Sequence, residues 1–275
     1  MAGDLRLADP SGWALALPSL KAEAYVFAPT NWIIAVPNGL TFTRPDGGPV
    51  AVTARRLRFS LNSWDQHPPR LSLEGEDMTF AATPGAHPFA LASAKDLQFY
   101  TRAGPNDQGA LLLKVDGGAA TPGTWLALIG SDKPVALTFD ATFTHADALR
   151  GPSARDAARS WTLAGGARDV QDASVTSAAT GFDARRGHIS LSDDGRLIGE
   201  LDGVARNLDF LITPDQARAF AAASSVGLKF GLHRREPTGE EAAPRDFADR
   251  ALTLSLTGPG GSTAKLVLIR GPRVF

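Results

Sequence analysis

The sequence predicts a mainly β protein, a large curved antiparallel sheet in the form of a groove, a taco or an open barrel, with two or three short helices. Three observations predict it. The first is one-for-one alternation: Val135, Leu137, Phe139, Ala141 and Phe143 are separated by Ala136, Thr138, Asp140 and Thr142. Leu57, Phe59 and Leu61 alternate likewise with Arg56, Arg58 and Ser60, and Leu252, Leu254 and Leu256 with Thr253 and Ser255. Successive strand residues face opposite sides, so this pattern gives a sheet with one apolar and one polar face, usual for antiparallel hairpins. The second is frequent punctuation by turn residues, and the third is the scarcity of helical periodicity. Such a sheet must cover its apolar face with a helix, with itself or with a ligand.

In chain order, strands are expected at Leu5–Leu7, Trp13–Leu17, Ala22–Phe27, Trp32–Val36, Leu40–Arg44 and Ala51–Leu61. Arg70–Glu74, Asp77–Ala81, Phe89–Arg102 (one strand or two) and Ala110–Val115 follow. Asp9-Pro10-Ser11-Gly12, Pro29-Thr30-Asn31, Asp46-Gly47-Gly48 and Pro105-Asn106-Asp107 separate them with the backbone angles that tight turns need. A break at Asp116-Gly117-Gly118 divides a 1–116 meander from a 117–275 half, the alternative being one continuous β domain. Short helices are expected near 124–130, ending on Gly130, near 153–160, and at 214–225. The last has Thr213 as N-cap, Pro214 at the first position and Gly227 beyond its end. Hairpins are expected from Leu163 to Leu211, then strands at Leu228–Leu232, Leu252–Leu256 and Leu266–Ile269, with Glu236–Asp246 a charged loop. Leu7–Gly12 and Leu191–Gly195 echo each other, which reads as an internal duplication or as two ordinary hairpins.

Composition excludes several function classes. With 43% hydrophobic and 21% charged residues the chain can bury a core. A net charge of −1 gives no basic excess for nucleic acid, and Arg55-Arg56, Arg185-Arg186 and Arg234-Arg235 read as solvated strand ends or loops. Zero cysteines remove disulfides, thiolate metal sites and a cysteine nucleophile. No run approaches the ~20 apolar residues of a membrane-spanning helix. The opening Met1-Ala2-Gly3 carries no basic n-region or apolar h-region, so any anchor or signal is expected to lie outside this sequence.

Chemistry-bearing motifs are scarce. His67, His87, His145, His188 and His233 lack metal-site spacing, and the first three read as turn residues. No nucleophile elbow or phosphate loop occurs, and Gly258-Pro259-Gly260-Gly261 reads as a hairpin loop between strands. No catalytic residue, metal or cofactor is assigned, and a non-enzymatic protein is expected. Aromatics are more informative: Trp13, Trp32, Trp64, Trp125 and Trp161 are spread along a chain with frequent Phe on the alternating face. They form a core if the sheet closes as a sandwich, and a ligand-binding surface if it stays open. Trp32, Ile34, Phe42, Phe59, Phe80, Phe99 and Leu113 are the residues expected to line an open groove.

The ordered set Ser11-Gly12-Trp13-Ala14-Leu15, Tyr25 through Val36, Trp161 through Gly166, Gly187 through Leu191 and Asp194 through Leu201 resembles an alphaproteobacterial domain-of-unknown-function family, number 2125. The likeness covers nearly the whole chain and extends in style to AsmA-type and lipopolysaccharide-transport-type envelope proteins. It implies a periplasmic protein anchored in the inner membrane, holding or passing lipid on a grooved sheet, with envelope proteins as further partners. A closed β-sandwich scaffolding an envelope complex, and a carbohydrate-active β protein, are the alternatives.

Overall fold

The computed structural model describes residues 2–206 apart from 46, 64, 125, 131–132, 179 and 192–196, together with 233–234, 252–257 and 262–268. The expected helix at 214–225, the strand Leu228–Leu232, the Glu236–Asp246 loop, Trp64 and Trp125 lie outside the described residues.

The strands are β1 (Ala2–Ala8), β2 (Ala14–Tyr25), β3 (Ala28–Ala35), β4 (Leu40–Arg44), β5 (Gly48–Thr53), β6 (Arg56–Asn62), β7 (Arg70–Ala82), β8 (Leu91–Ala103) and β9 (Gln108–Ala120). Then come helix α1 (Ala127–Gly130), β10 (Val135–Thr144), a 3-10 turn at Ala146–Ala148, helix α2 (Ala154–Leu163), β11 (Arg168–Ser177), β12 (Thr180–Leu191) and β13 (Leu197–Arg206). β14 (His233–Arg234), β15 (Leu252–Thr257) and β16 (Ser262–Leu268) complete the sheet. All described pairings are antiparallel except β14 with β15. The two sequence echoes fall at the β1–β2 and β12–β13 connections, both hairpins.

The strand order is simpler than its labels. β3 and β4 both pair the same edge of β2, because Ala14 and Lys21 each have a β1 partner on the other edge. β5 and β6 likewise share one edge of β7 in constant register, from Val50↔Ala82 through Thr53↔Thr79 to Arg56↔Glu76 and Asn62↔Arg70. Each couple is one long ribbon with a kink. The sheet is therefore an open meander running in sequence order from β1 to β13, then β16, β15 and β14.

These ladders correct several sequence expectations. Arg70–Glu74 and Asp77–Ala81 are one strand, because the ladder to β8 continues through Glu76↔Asp96 and Met78↔Ala94. Phe89–Arg102 is also one strand, starting at Leu91. Ala51–Leu61 divides at Ala54-Arg55 without losing register. Val26 and Phe27 leave strand pairing to form the β2–β3 turn. Trp161 lies inside α2 rather than past its end.

The kinks line up. Across β5/β6 the buried residues Val52 and Leu57 flank exposed Arg55-Arg56; in β7 buried Gly75 and Met78 flank Glu76-Asp77. In β8 Ala94 and Leu97 flank Lys95-Asp96, and in β9 Val115 and Gly118 flank Asp116-Gly117. Registers Arg56↔Glu76, Glu76↔Asp96 and Asp96↔Asp116 place these doublets on one line across the strands. Buried Val36 and Leu40 flank Pro37-Asn38-Gly39 on the β3/β4 ribbon, and buried Leu17 precedes Pro18-Ser19 on β2. Two successive residues facing outward reset the alternation, so apolar side chains on both sides stay inside while the strands bend. Asp77 (φ 49°), Gly117 (φ 59°) and Gly39 (φ 70°) take the left-handed backbone this needs. The outcome is a transverse crease, charged on its outer side, where Arg55 pairs with Glu76 at 2.5 Å and Asp77 at 2.7 Å, and Arg56 pairs with Glu76.

Inside the crease the core is sealed by Leu17, Val36, Leu40, Val50, Val52, Leu57 and Met78. It continues through Leu91, Ala94, Val115 and Val135 under Leu126, which leads into α1. α2 covers the far end of β10 and β12, burying Trp161 against Phe143, Ala146 and Leu191. Ser153 caps α2: its Oγ accepts from the backbone N–H of Asp156 at 3.1 Å, satisfying a free helix-start donor. Trp161 Nε1 donates to the Thr144 carbonyl at 2.6 Å.

Candidate functional site

On the other side of the crease the apolar face stays partly open. Register places Ile34, Phe59, Leu73, Phe99, Leu113 and Phe139 directly opposite one another in a single row over β3, β6, β7, β8, β9 and β10. Two residues along, Trp32, Leu61, Leu71, Thr101 and Leu111 form a second row. No member of either row is buried; all are half-buried, whereas the crease core beside them is closed. The first row crosses five inter-strand gaps, about 24 Å at ~4.8 Å each. That exceeds the ~15 Å that one leaflet's acyl chains occupy in a ~30 Å hydrocarbon layer.

Cross-strand apolar neighbours support each other, yet Trp32, Leu61, Leu71 and Phe99 join none of the four buried clusters found among the described residues. Trp32 adds a polar handle. Its Nε1 is buried and has no hydrogen-bond partner among the described residues, an arrangement that costs about 1–3 kcal/mol.

Of the residues expected to line a groove, Trp32, Ile34, Phe59, Phe99 and Leu113 lie on these two rows. Phe42 and Phe80 lie across the crease, where both stack on Phe89, with ring centroids 5.4 and 5.1 Å apart. Arg44 sits over Phe89 at 5.7 Å and donates to the carbonyls of Gly47 and His87 at 2.9 and 2.5 Å; burial pulls its pKa below the usual guanidinium value. Leu61, Leu71, Leu73, Thr101, Leu111 and Phe139 complete the rows, and the sequence did not single them out as lining residues. Their signal was alternation of the same kind, but cross-strand register, which alternation does not contain, decides which alternating residues meet.

The polar face carries the concave pockets. A cavity of about 420 Å³ is lined by Ser60, Ser72, Arg70, Tyr100, Arg102 and Asp140, among others. Another of about 280 Å³ is lined by Arg58, Ser60, Ser72 and Glu74 along with Trp32 and Phe59. Tyr100 Oη donates to Glu74 Oε1 at 3.0 Å, and burial, followed by that carboxylate, raises its pKa. No cluster of metal-ligating side chains occurs among the described residues. Two histidines sit at a turn and in a surface pair: His145 follows β10 with φ 54°, and His188 Nδ1 lies 3.2 Å from Asp169. No helix among the described residues is long and apolar enough to cross a membrane.

Residues 1–258 match the family model described as Uncharacterized protein conserved in bacteria (DUF2125). The chain belongs to this family. This DUF2125 chain folds as an open creased meander with partly uncovered apolar rows. No curated protein and no solved structure matches the chain.

Proposed function

We propose that this DUF2125 protein binds the acyl chain of a lipid, or a similar apolar ligand, along the rows through Phe59–Phe99–Leu113 and Trp32–Leu61–Leu71. One observation carries the reading: Phe99, Trp32, Leu61 and Leu71 stand on the apolar face, half-buried, and belong to no buried cluster among the described residues. Full burial of an exposed side chain of this kind gains about 1.5–3 kcal/mol; these side chains are already half-buried, and an acyl chain would supply the remaining fraction at each. The protein performs no chemistry on the ligand and uses no cofactor. In this reading it works in the periplasm of a Gram-negative bacterium, tethered to the inner membrane, in lipid transport or envelope maintenance.

Native mass spectrometry of the protein purified from a bacterial host, followed by lipid extraction, tests this. Near-stoichiometric lipid in the wild type and its loss in Phe99→Asp are expected. A mass free of ligand, unchanged after incubation with lipid vesicles, would overturn the reading. The second reading, a scaffold module of an envelope complex, draws on the sealed crease core and would then be pursued through protein partners.

A further inference from the structure

The β2–β3 turn exposes two consecutive large apolar side chains, Val26 at 88% and Phe27 at 102% of their full surface. A lone exposed apolar residue is ordinary, but an adjacent pair at the outermost point of a hairpin keeps two hydrophobic side chains in water where turn residues are usually polar. The turn is not isolated. Ala24 pairs Trp32, Trp32 pairs Leu61 and Leu61 pairs Leu71, so the second apolar row begins at this hairpin and runs along the same rim of the sheet. One position further out, Arg70 starts β7 opposite Asn62, and Arg102 lies just beyond the Leu71↔Thr101 pair. Arg70 and Arg102 are exposed, line one cavity, and have no ion-pair partner among the described residues. Two like charges on neighbouring strands repel; Asp140, which lines the same cavity, brings one negative charge against two positive ones, and a phosphate beyond them offsets the rest.

We propose that this rim docks on an anionic phospholipid bilayer. Val26 and Phe27 enter the headgroup–acyl boundary, and Arg70 and Arg102 contact lipid phosphates. Aromatic and apolar tips favour that boundary, and arginine forks match phosphate oxygens. The β9–β10 part of the same rim is acidic, with Asp107 and Asp147; Asp147 is paired with Arg150 at 3.0 Å, and His145 Nδ1 lies 3.8 Å from Asp107. With its carboxylates facing Arg150 and His145, this part of the rim offers lipid phosphates less attraction than Arg70 and Arg102 do, so the β2–β3 turn meets the bilayer first. Docking in this pose sets the open end of the Trp32 row against the membrane. The inference rests on the lipid-binding reading for its purpose, but not for its observations.

The chain contains no cysteine, so Phe27→Cys gives a unique site for an environment-sensitive fluorophore. His87→Cys, in the exposed turn at the opposite ends of β7 and β8, is the control. With phosphatidylglycerol vesicles the label at 27 is expected to shift to the blue and the label at 87 to stay water-like. In co-sedimentation, Val26→Asp/Phe27→Asp should lower partitioning about tenfold or more, as two buried apolar side chains are lost. Arg70→Gln/Arg102→Gln should lower it about fivefold per arginine, on anionic vesicles only, and less at high salt. Water-like emission at 27 in the presence of vesicles, or equal sedimentation of Val26→Asp/Phe27→Asp and wild type, would overturn the proposal. Phe99→Asp separates the two readings: it should dock normally while carrying no extracted lipid.

Discussion

The carboxylate of Asp9 accepts a hydrogen bond from the backbone N–H of Ala154 at 2.8 Å. One residue lies in the β1–β2 turn and the other starts α2, so this contact ties the first hairpin to the helix covering the ends of β10 and β12. Asp9 is also held by Ser11, whose backbone N–H donates at 2.7 Å and whose hydroxyl donates to the same oxygen.

These bonds, the Ser11 hydroxyl first, lower the pKa of Asp9 below 3.8. A depressed carboxylate contributes stability above its unfolded value and loses it as pH falls through the folded value. Asp9→Ala should therefore melt below the wild type at neutral pH, and the gap should close as pH drops below about 3.8. Melting curves across pH 2–7 check this; a gap independent of pH would mean the carboxylate is not the tie.

Gly39 is where the β3/β4 ribbon crosses the crease. Its φ is +70°, and a Cβ there would lie 2.2 Å from the Val52 carbonyl oxygen. Gly39→Ala should cost at least about 1–2 kcal/mol from the left-handed backbone alone, and more from the collision. Urea unfolding measures it, and a neutral result would show that the crease adapts freely.

Trp161 is 1% exposed in the α2 cluster. Trp161→Ala should cost about 3–5 kcal/mol. Trp161→Phe keeps most of the packing and should lose chiefly the bond to Thr144, about 1 kcal/mol. Arg168, half-buried, lies over the Trp161 ring at 5.2 Å, and burial lowers its pKa, so the alanine variant also removes the ring that covers its guanidinium. Comparable losses in the two variants would contradict this division.

Val50 and Phe99 share the apolar face but differ in enclosure: Val50 is 0% exposed in the crease core and Phe99 is half-buried in no cluster. Val50→Asp should abolish folding, while Phe99→Asp should keep the wild-type circular dichroism spectrum and a cooperative melt. Phe59→Asp should fall between them, since Phe59 also packs on the edge of that core. If Phe99→Asp unfolds the protein, Phe99 is core and the open-row assignment fails there.

Much of the sheet was legible because alternation is a local property. Ile34, Phe59, Phe99 and Leu113 stand on one row partly because each sits in phase within its own strand. The crease was written in the sequence as a slip of that phase: Val50 and Val52 are even, Leu57 and Phe59 odd, with Arg55-Arg56 between them. Read strand by strand, the doublet looked like a strand end. Only when Glu76-Asp77 and Lys95-Asp96 fall on the same line does it become a fold in the sheet. The location of Phe42 and Phe80 was not legible, since Phe89, which holds them, precedes β8 and reaches them only in three dimensions.

Because neighbouring ribbons are neighbours in sequence from β1 to β13, assembly needs no distant strand to wait for another. Each new ribbon closes a short loop onto the last, so a chain released from its N-terminus zips up in order, at little loop-closure cost. The growing end is always a raw edge with unpaired backbone groups. Interrupted synthesis therefore leaves such an edge partway along the sheet, in addition to the edge that β1 keeps in the finished fold.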